Sequence, residues 1–200
     1  DPDHEPGPTP GHEPSQRLVA GHWDLWLLDV ATREQKPLTA TASDERDPEF
    51  SVDGRSVVFA TNRTGHYCLW SISLDGHVET QLTEESGDAS SPAVSEKGFI
   101  AYVLDRGGES LLRVLGPDGA ATTLYSGEGR LTAPTWRPGD GVIVFGEQVA
   151  PGPNRLQMLL LDEARLREFK LVWALSLALV LLLASGAALA YVVGALGNIG

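Results

Sequence analysis

The stretch Asp47-Pro48-Glu49-Phe50-Ser51-Val52-Asp53-Gly54-Arg55-Ser56-Val57-Val58-Phe59-Ala60-Thr61-Asn62-Arg63 decides the fold. A proline-bearing extended run meets an Asp-Gly pair, and a β-branched run leaves it. Asp-Gly between two such runs is a hairpin signal, because tight hairpin turns need residues that tolerate positive φ. Val57, Val58 and Phe59 belong to the residue types that fit a pleated, half-buried surface. Downstream, Leu69-Trp70-Ser71-Ile72-Ser73 reaches a second turn at Asp75-Gly76 and closes on Gln81-Leu82-Thr83. The unit is therefore read as a small antiparallel sheet of four strands.

The same unit returns along the chain. Leu25-Trp26-Leu27-Leu28-Asp29 precedes Leu69-Trp70-Ser71-Ile72-Ser73, and Leu112-Arg113-Val114-Leu115 and Gln157-Met158-Leu159-Leu160 follow it. Asp47-Pro48-Glu49-Phe50-Ser51 has counterparts in Ser91-Pro92-Ala93-Val94-Ser95 and Ala133-Pro134-Thr135-Trp136-Arg137. Ser56-Val57-Val58-Phe59-Ala60 is matched by Phe99-Ile100-Ala101-Tyr102-Val103 and Val142-Ile143-Val144-Phe145. Lys36-Pro37-Leu38-Thr39 recurs as Thr80-Gln81-Leu82-Thr83 and Thr122-Thr123-Leu124-Tyr125. Four extended runs in a period of about 43 residues is the pattern of propeller blades. Helical periodicity is absent from this region.

On these residues the chain resembles the TolB-type (WD40-like) β-propeller repeat. That repeat reads roughly Ser-Pro-x-Trp-Ser-Pro-Asp-Gly, an apolar strand, then Asn-Arg or Asp-Arg. Residues 47–63 match it most fully. The second copy keeps Ser91-Pro92, Ser95, Gly98 and Asp105-Arg106, and the third keeps Pro134, Trp136, Pro138 and Gly141. The resemblance covers about residues 24–161 and implies blades of four antiparallel strands. The chain supplies two whole blades and parts of two more, with no obvious opening strand in the first part and no closing strand in the last. The expected fold is an all-β repeat domain, an incomplete propeller open as a stack rather than closed as a ring, plus one transmembrane helix.

The flanks differ in kind. Residues 1–16 carry Pro2, Pro6, Pro8, Pro10 and Pro14 and are expected to form an extended or disordered tail, because they hold too little apolar surface to order themselves. The repeats occupy 17–161, a juxtamembrane helical turn 162–170, a membrane span 171–193 and a short tail 194–200. Leu171 to Val193 is apolar or small throughout, and such a run at about 1.5 Å per residue crosses a hydrocarbon core of about 30 Å. Trp173 and Tyr191 stand near its ends as interface anchors, with Arg165, Arg167 and Lys170 on the N-terminal flank. The positive-inside rule places the β domain in the cytoplasm of a bacterial-type inner membrane; the family resemblance implies the periplasm instead. Gly186, Ala190 and Gly194 recur every four residues and form a stripe on which another helix can pack.

Chemistry is harder to find. The net charge of −12 and the lack of a Lys/Arg cluster exclude a nucleic-acid interface. Cys68 is the single cysteine, set in an apolar run and expected to be buried and inert. Some proteases carry similar repeats ahead of a hydrolase domain, but no Gly-x-Ser-x-Gly occurs, and Ser110 is read as a turn residue. His4, His12, His22, His66 and His77 never fall at metal-ligand spacing, and Gly127-Glu128-Gly129 lacks the Lys of a phosphate loop. Asp44-Glu45-Arg46-Asp47 and Glu84-Glu85 are read as solvated acidic loops. No catalytic, cofactor or metal site is expected, and the chain is read as no enzyme. The leading functional expectation is an accessory or scaffold subunit of a membrane complex, of the respiratory or photosynthetic kind, with integral membrane subunits and the bilayer as partners. The alternative is a periplasmic TolB-like propeller, anchored to the inner membrane, that binds a peptide or envelope protein.

Overall fold

The structure, a computed structural model, describes residues 12–160 apart from positions 20, 76, 140, 151 and 153. Among the described residues fourteen strands form four antiparallel sheets. The second sheet is complete: β4 (Glu45–Phe50), β5 (Ser56–Thr61), β6 (Cys68–Ser73) and β7 (Glu79–Gln81) lie in that order. The third repeats it with β8 (Asp88–Val94), β9 (Ile100–Arg106), β10 (Glu109–Leu115) and β11 (Ala121–Gly127). The first holds β1 (His12–Val19), β2 (His22–Asp29) and β3 (Gln35–Pro37), and the fourth β12 (Arg130–Trp136), β13 (Val142–Gln148) and β14 (Asn154–Leu160). The all-β, repeat-built expectation holds.

The repeat spacing tells which strand each sheet lacks. Trp26 of β2 stands where Trp70 stands in β6, so the first sheet runs from second strand to fourth. No inner strand like β4 precedes β1 among the described residues. By the same spacing the fourth sheet has its inner strand, β12, and among the described residues no outer strand in the position of β7 and β11. The inner strands β4, β8 and β12 follow one another, each touching the next, while β4 touches β1 and β2 on its other side. Among the described residues no contact of similar extent joins the first sheet to the fourth. The blades form an open arc, and an incomplete propeller is what the structure holds.

β1 moves one expected boundary. It begins at His12, inside the segment read as a Pro-rich tail, and pairs with β2 residue for residue from His12↔Asp29 to Val19↔His22. Apolar side chains are few in this segment, and the strand is ordered through backbone ladder bonds instead. Pro14 is tolerated because β1 is a sheet edge.

Each inner strand carries the same irregularity. The β4–β5, β8–β9 and β12–β13 ladders all shift register, after Arg46, Ser90 and Thr132. In each bulge sits a non-glycine residue of positive φ directly before a proline: Asp47 at 55°, Ser91 at 52° and Ala133 at 47°. The proline explains the recurring x-Pro of the sequence, since it removes a donor where the ladder is already broken.

The core lies between the sheets. Leu25, Leu38, Val57, Phe59 and Ile72 fill the first junction. Ala60 and Leu69 of the second sheet meet Tyr102, Leu104 and Leu111 of the third. Alternation along each strand sends one set of side chains to the preceding sheet and the other to the following one.

Candidate functional site

The rim of the arc where inner strands begin carries a repeated set of polar side chains. Three junctions build it. At the first, Asp44 precedes β4 and accepts the Trp23 backbone N–H at 3.1 Å, while the Thr39 hydroxyl accepts the Leu25 N–H at 2.9 Å. At the second, the Asp88 carboxylate accepts the Tyr67 N–H at 2.9 Å and the Thr83 hydroxyl the Leu69 N–H at 2.9 Å. The sequence repeat is thus a hydrogen-bond repeat. The Leu-Thr ending of the first two blades has a physical reason: Thr39 and Thr83 each hold a buried backbone donor of the adjacent strand.

One buried and one partly buried carboxylate lie behind these staples. Glu45 is fully buried. It accepts from Thr39 at 2.9 Å and Thr41 at 2.5 Å, and Arg63 reaches it at 3.2 Å. Arg63 also binds Glu79 and lies 4.7 Å from the centre of the Trp70 ring. Glu85 pairs with Arg113 at 2.8 Å and accepts the Tyr102 hydroxyl at 2.9 Å. Burial, then the nearby Glu85 charge, holds the Tyr102 phenol well above its ordinary value, so it remains a donor. The reading of Glu45 and Glu85 as solvated acidic loops is therefore corrected. Thr39, Thr41 and Arg63 converge on Glu45, and Tyr102 and Arg113 on Glu85, as charge withdrawn from water requires.

The third junction departs from the pattern. Arg130 stands at the position of Asp44 and Asp88, and the Leu131 N–H is taken by the Ser110 hydroxyl at 2.9 Å. Ser110, read as a turn residue, is buried in β10. Glu147, near the end of β13, is 1% exposed and accepts Glu128 N–H at 2.8 Å, Gly129 N–H at 3.4 Å and Gln157 Nε2 at 2.8 Å. Burial alone would raise this carboxyl. The bonds from Gln157, Glu128 and Gly129 outweigh it and hold the group below its ordinary value. Gly127-Glu128-Gly129 is thereby explained: a Cβ on Gly129 would lie 2.1 Å from the Gln148 carbonyl oxygen. No sequence motif marked Glu147; only a lone carboxylate in an apolar strand could have.

Several polar groups near the rim are engaged within the protein. His66 Nε2 lies 2.8 Å from the Glu85 carbonyl oxygen, and Cys68 is 1% exposed, as its apolar setting implies. The Arg46 guanidinium lies 3.6 Å from the centre of the Tyr67 ring. Among the described residues no cluster of three or more His, Cys, Asp or Glu side chains is placed to hold a metal ion. No helix among them is long and apolar enough to cross a membrane. The site residues expected from sequence lie outside the described residues: the anchors Arg165, Arg167, Lys170, Trp173 and Tyr191 and the stripe Gly186, Ala190 and Gly194.

What the rim leaves open is the inner edge of the first sheet. Among the described residues β1 pairs with β2 alone, so its other edge has no described ladder partner where β4, β8 and β12 stand in the later sheets. Gln16 of β1 reaches across and accepts the Asp47 N–H at 3.1 Å, just as Asp47 accepts the Ser91 N–H at 3.0 Å one sheet on. Leu18 and Trp23, opposite each other on β1 and β2, are 56% and 41% exposed.

The blades are TolB-like. The TolB homolog of Chlorobaculum tepidum is 33% identical over 95 residues, 47% of this chain and 22% of that protein. An uncharacterized protein of Agrobacterium fabrum is 26% identical over 129 residues, 58% of this chain and 44% of that one. The chain thus spans less than half the length of these relatives. The crystal structure of TolB from Acinetobacter baumannii superposes with a TM-score of 0.66 at 17% identity, covering 76% of this chain and 38% of that one. A puromycin hydrolase superposes at 0.63 and 17% identity, over 76% of this chain and 26% of its own. The structural likenesses establish the fold alone. No protein-family model matches the chain.

Proposed function

We propose that the protein is a non-catalytic binding platform of the TolB kind, held on the periplasmic side of the inner membrane, that takes an extended segment of an envelope protein against β1. The inner edge of β1 beside β4, unpaired among the described residues, carries this reading. A strand-like segment joins such an edge through main-chain hydrogen bonds, and adjacent side chains select among segments. Leu18, Val19 and Trp23, all partly exposed at one end of that edge, give an apolar foothold. The TolB likeness supports binding over catalysis. It also supports the periplasm over the cytoplasmic side expected from Arg165, Arg167 and Lys170.

A photo-reactive residue at Leu18, in native cells, is expected to cross-link one envelope protein. The same residue at Val78, equally exposed but on the far side of the second sheet, is the reference. Identical cross-links at both positions, or none at Leu18, would sink the proposal. Purification in mild detergent tests the accessory-subunit reading, which rests on residues 161–200. A stoichiometric set of integral membrane proteins would favour it, and migration alone would end it. Labelling of a cysteine placed in the 194–200 tail of intact cells reads the side.

A further inference from the structure

Trp23 and Tyr67 occupy the same repeat position in the first and second sheets, at the rim. Trp23 of β2 lies level with Leu18 of β1, and Tyr67, just before β6, level with Asn62, just after β5. Each gives its backbone N–H to an aspartate, Asp44 at 3.1 Å and Asp88 at 2.9 Å. The aromatic ring is not a demand of the blade itself. By the same register the third and fourth sheets carry Ser110 and Asn154 there.

The two rings are treated differently. Tyr67 lies under the guanidinium of Arg46, 3.6 Å from the ring centre, and Arg46 belongs to β4, the inner strand of the same sheet. Trp23 offers the better face for a cation, since indole binds cations more strongly than phenol, yet it stands 41% exposed. Among the described residues the first sheet has no strand in the position of β4. The residue one repeat before Arg46 is Pro2, which brings no charge. A carboxylate is nonetheless in place: the Asp44 side chain that takes the Trp23 N–H is 29% exposed, with His22 Nδ1 3.9 Å from it.

We infer that Trp23 and Asp44 form a subsite for a basic side chain, arginine before lysine, on the segment that β1 takes up. The inference rests on the strand-addition reading above and adds what the segment must carry. The second sheet supplies the register. Arg46 pairs with Ala60, and the counterpart of Ala60 on β1 is Gln16. The arginine therefore stands on the incoming strand opposite Gln16, on the face that alternation gives to Gln16 and Leu18. From there it lies over the Trp23 ring as Arg46 lies over Tyr67. A planar guanidinium stacks on the ring while its N–H groups turn to Asp44, a combination that a compact ammonium matches less well. A glutamate at that position would meet the Asp44 charge instead.

The test uses the full chain in mild detergent, with isotope-labelled indole nitrogens. Three peptides are titrated: acetyl-Thr-Val-Arg-Val-Thr-amide and its forms with Gln or Glu at the centre. The arginine peptide is expected to bind about fivefold or more tighter than the glutamine peptide, with the glutamate peptide weakest. It is expected to move one of the five indole signals, the one missing in Trp23→Phe. Added salt narrows the preference, because the Asp44 share is screened. In Trp23→Leu the arginine and glutamine peptides are expected to bind within about twofold of each other, with the melting transition unchanged. Asp44→Asn keeps an oxygen for the Trp23 N–H and is expected to lose the salt dependence. Equal affinity of the arginine and glutamine peptides for wild type, or a preference that survives in Trp23→Leu, overturns the subsite and leaves strand addition standing. If none of the three peptides binds, strand addition falls and the subsite falls with it.

Discussion

At the first and second junctions a Thr and an Asp, 44 residues apart from their counterparts, hold the same two backbone donors at nearly the same distances. At the third, Ser110 and Glu147 do comparable work from other strands. The comparison separates what the fold requires from what the repeat happens to supply. The requirement is an acceptor for each buried N–H at the start of an inner or adjacent strand. Its identity is free to drift, and it drifts where a glycine pair lets the backbone close on a different carboxylate.

The largest expected effect breaks the third junction alone. Gly129→Ala puts a methyl against the Gln148 backbone and is expected to cost about 3 kcal/mol, read as the shift in a urea midpoint at constant slope. Thr83→Val and Ser110→Ala then test equivalence across junctions. Each strands a buried N–H, of Leu69 or Leu131, and each is expected to cost about 1–3 kcal/mol. A cost at Thr83 with none at Ser110 would mean that the third junction has a further acceptor.

Acid sharpens the same contrast. The Glu147 carboxyl is held below its ordinary value of 4.5 in the folded chain. Its contribution is therefore complete above about pH 4.5 and is lost as pH falls through the lowered value. Glu147→Gln is expected to lower stability at pH 7 and to flatten the decline between pH 5 and 3, measured by melting at each pH. A decline as steep in the variant would exclude Glu147 as its source. The smallest effect belongs to β1, where Arg17→Ala, losing its place over Trp26, is expected to cost about 0.5–1 kcal/mol.

Much of this was legible beforehand, for particular reasons. Asp53-Gly54 and Asp118-Gly119 announce turns by local chemistry, and strands β5, β9 and β13 by alternation and β-branching. The absent first and last strands follow from counting periods. Glu45, Glu85 and Glu147 were not legible, because their partners come from other strands or other sheets. Nor was β1, whose order comes from backbone pairing rather than from side chains. The Gln157-Met158-Leu159-Leu160 run reads as one more strand of the repeat, and only the register of β13 and β14 shows that Leu156 and Met158 share a face and stand exposed.

An arc without closure behaves as a row, not a ring. Each sheet leans only on its neighbours, so loss of order can begin at either end and advance sheet by sheet. Amide exchange should therefore grade along the chain, slowest in β5, β6, β9 and β10 and fastest in β1 and β14, with no single global opening shared by all four sheets. The exchange profile would thus record at which end of the row order is first lost.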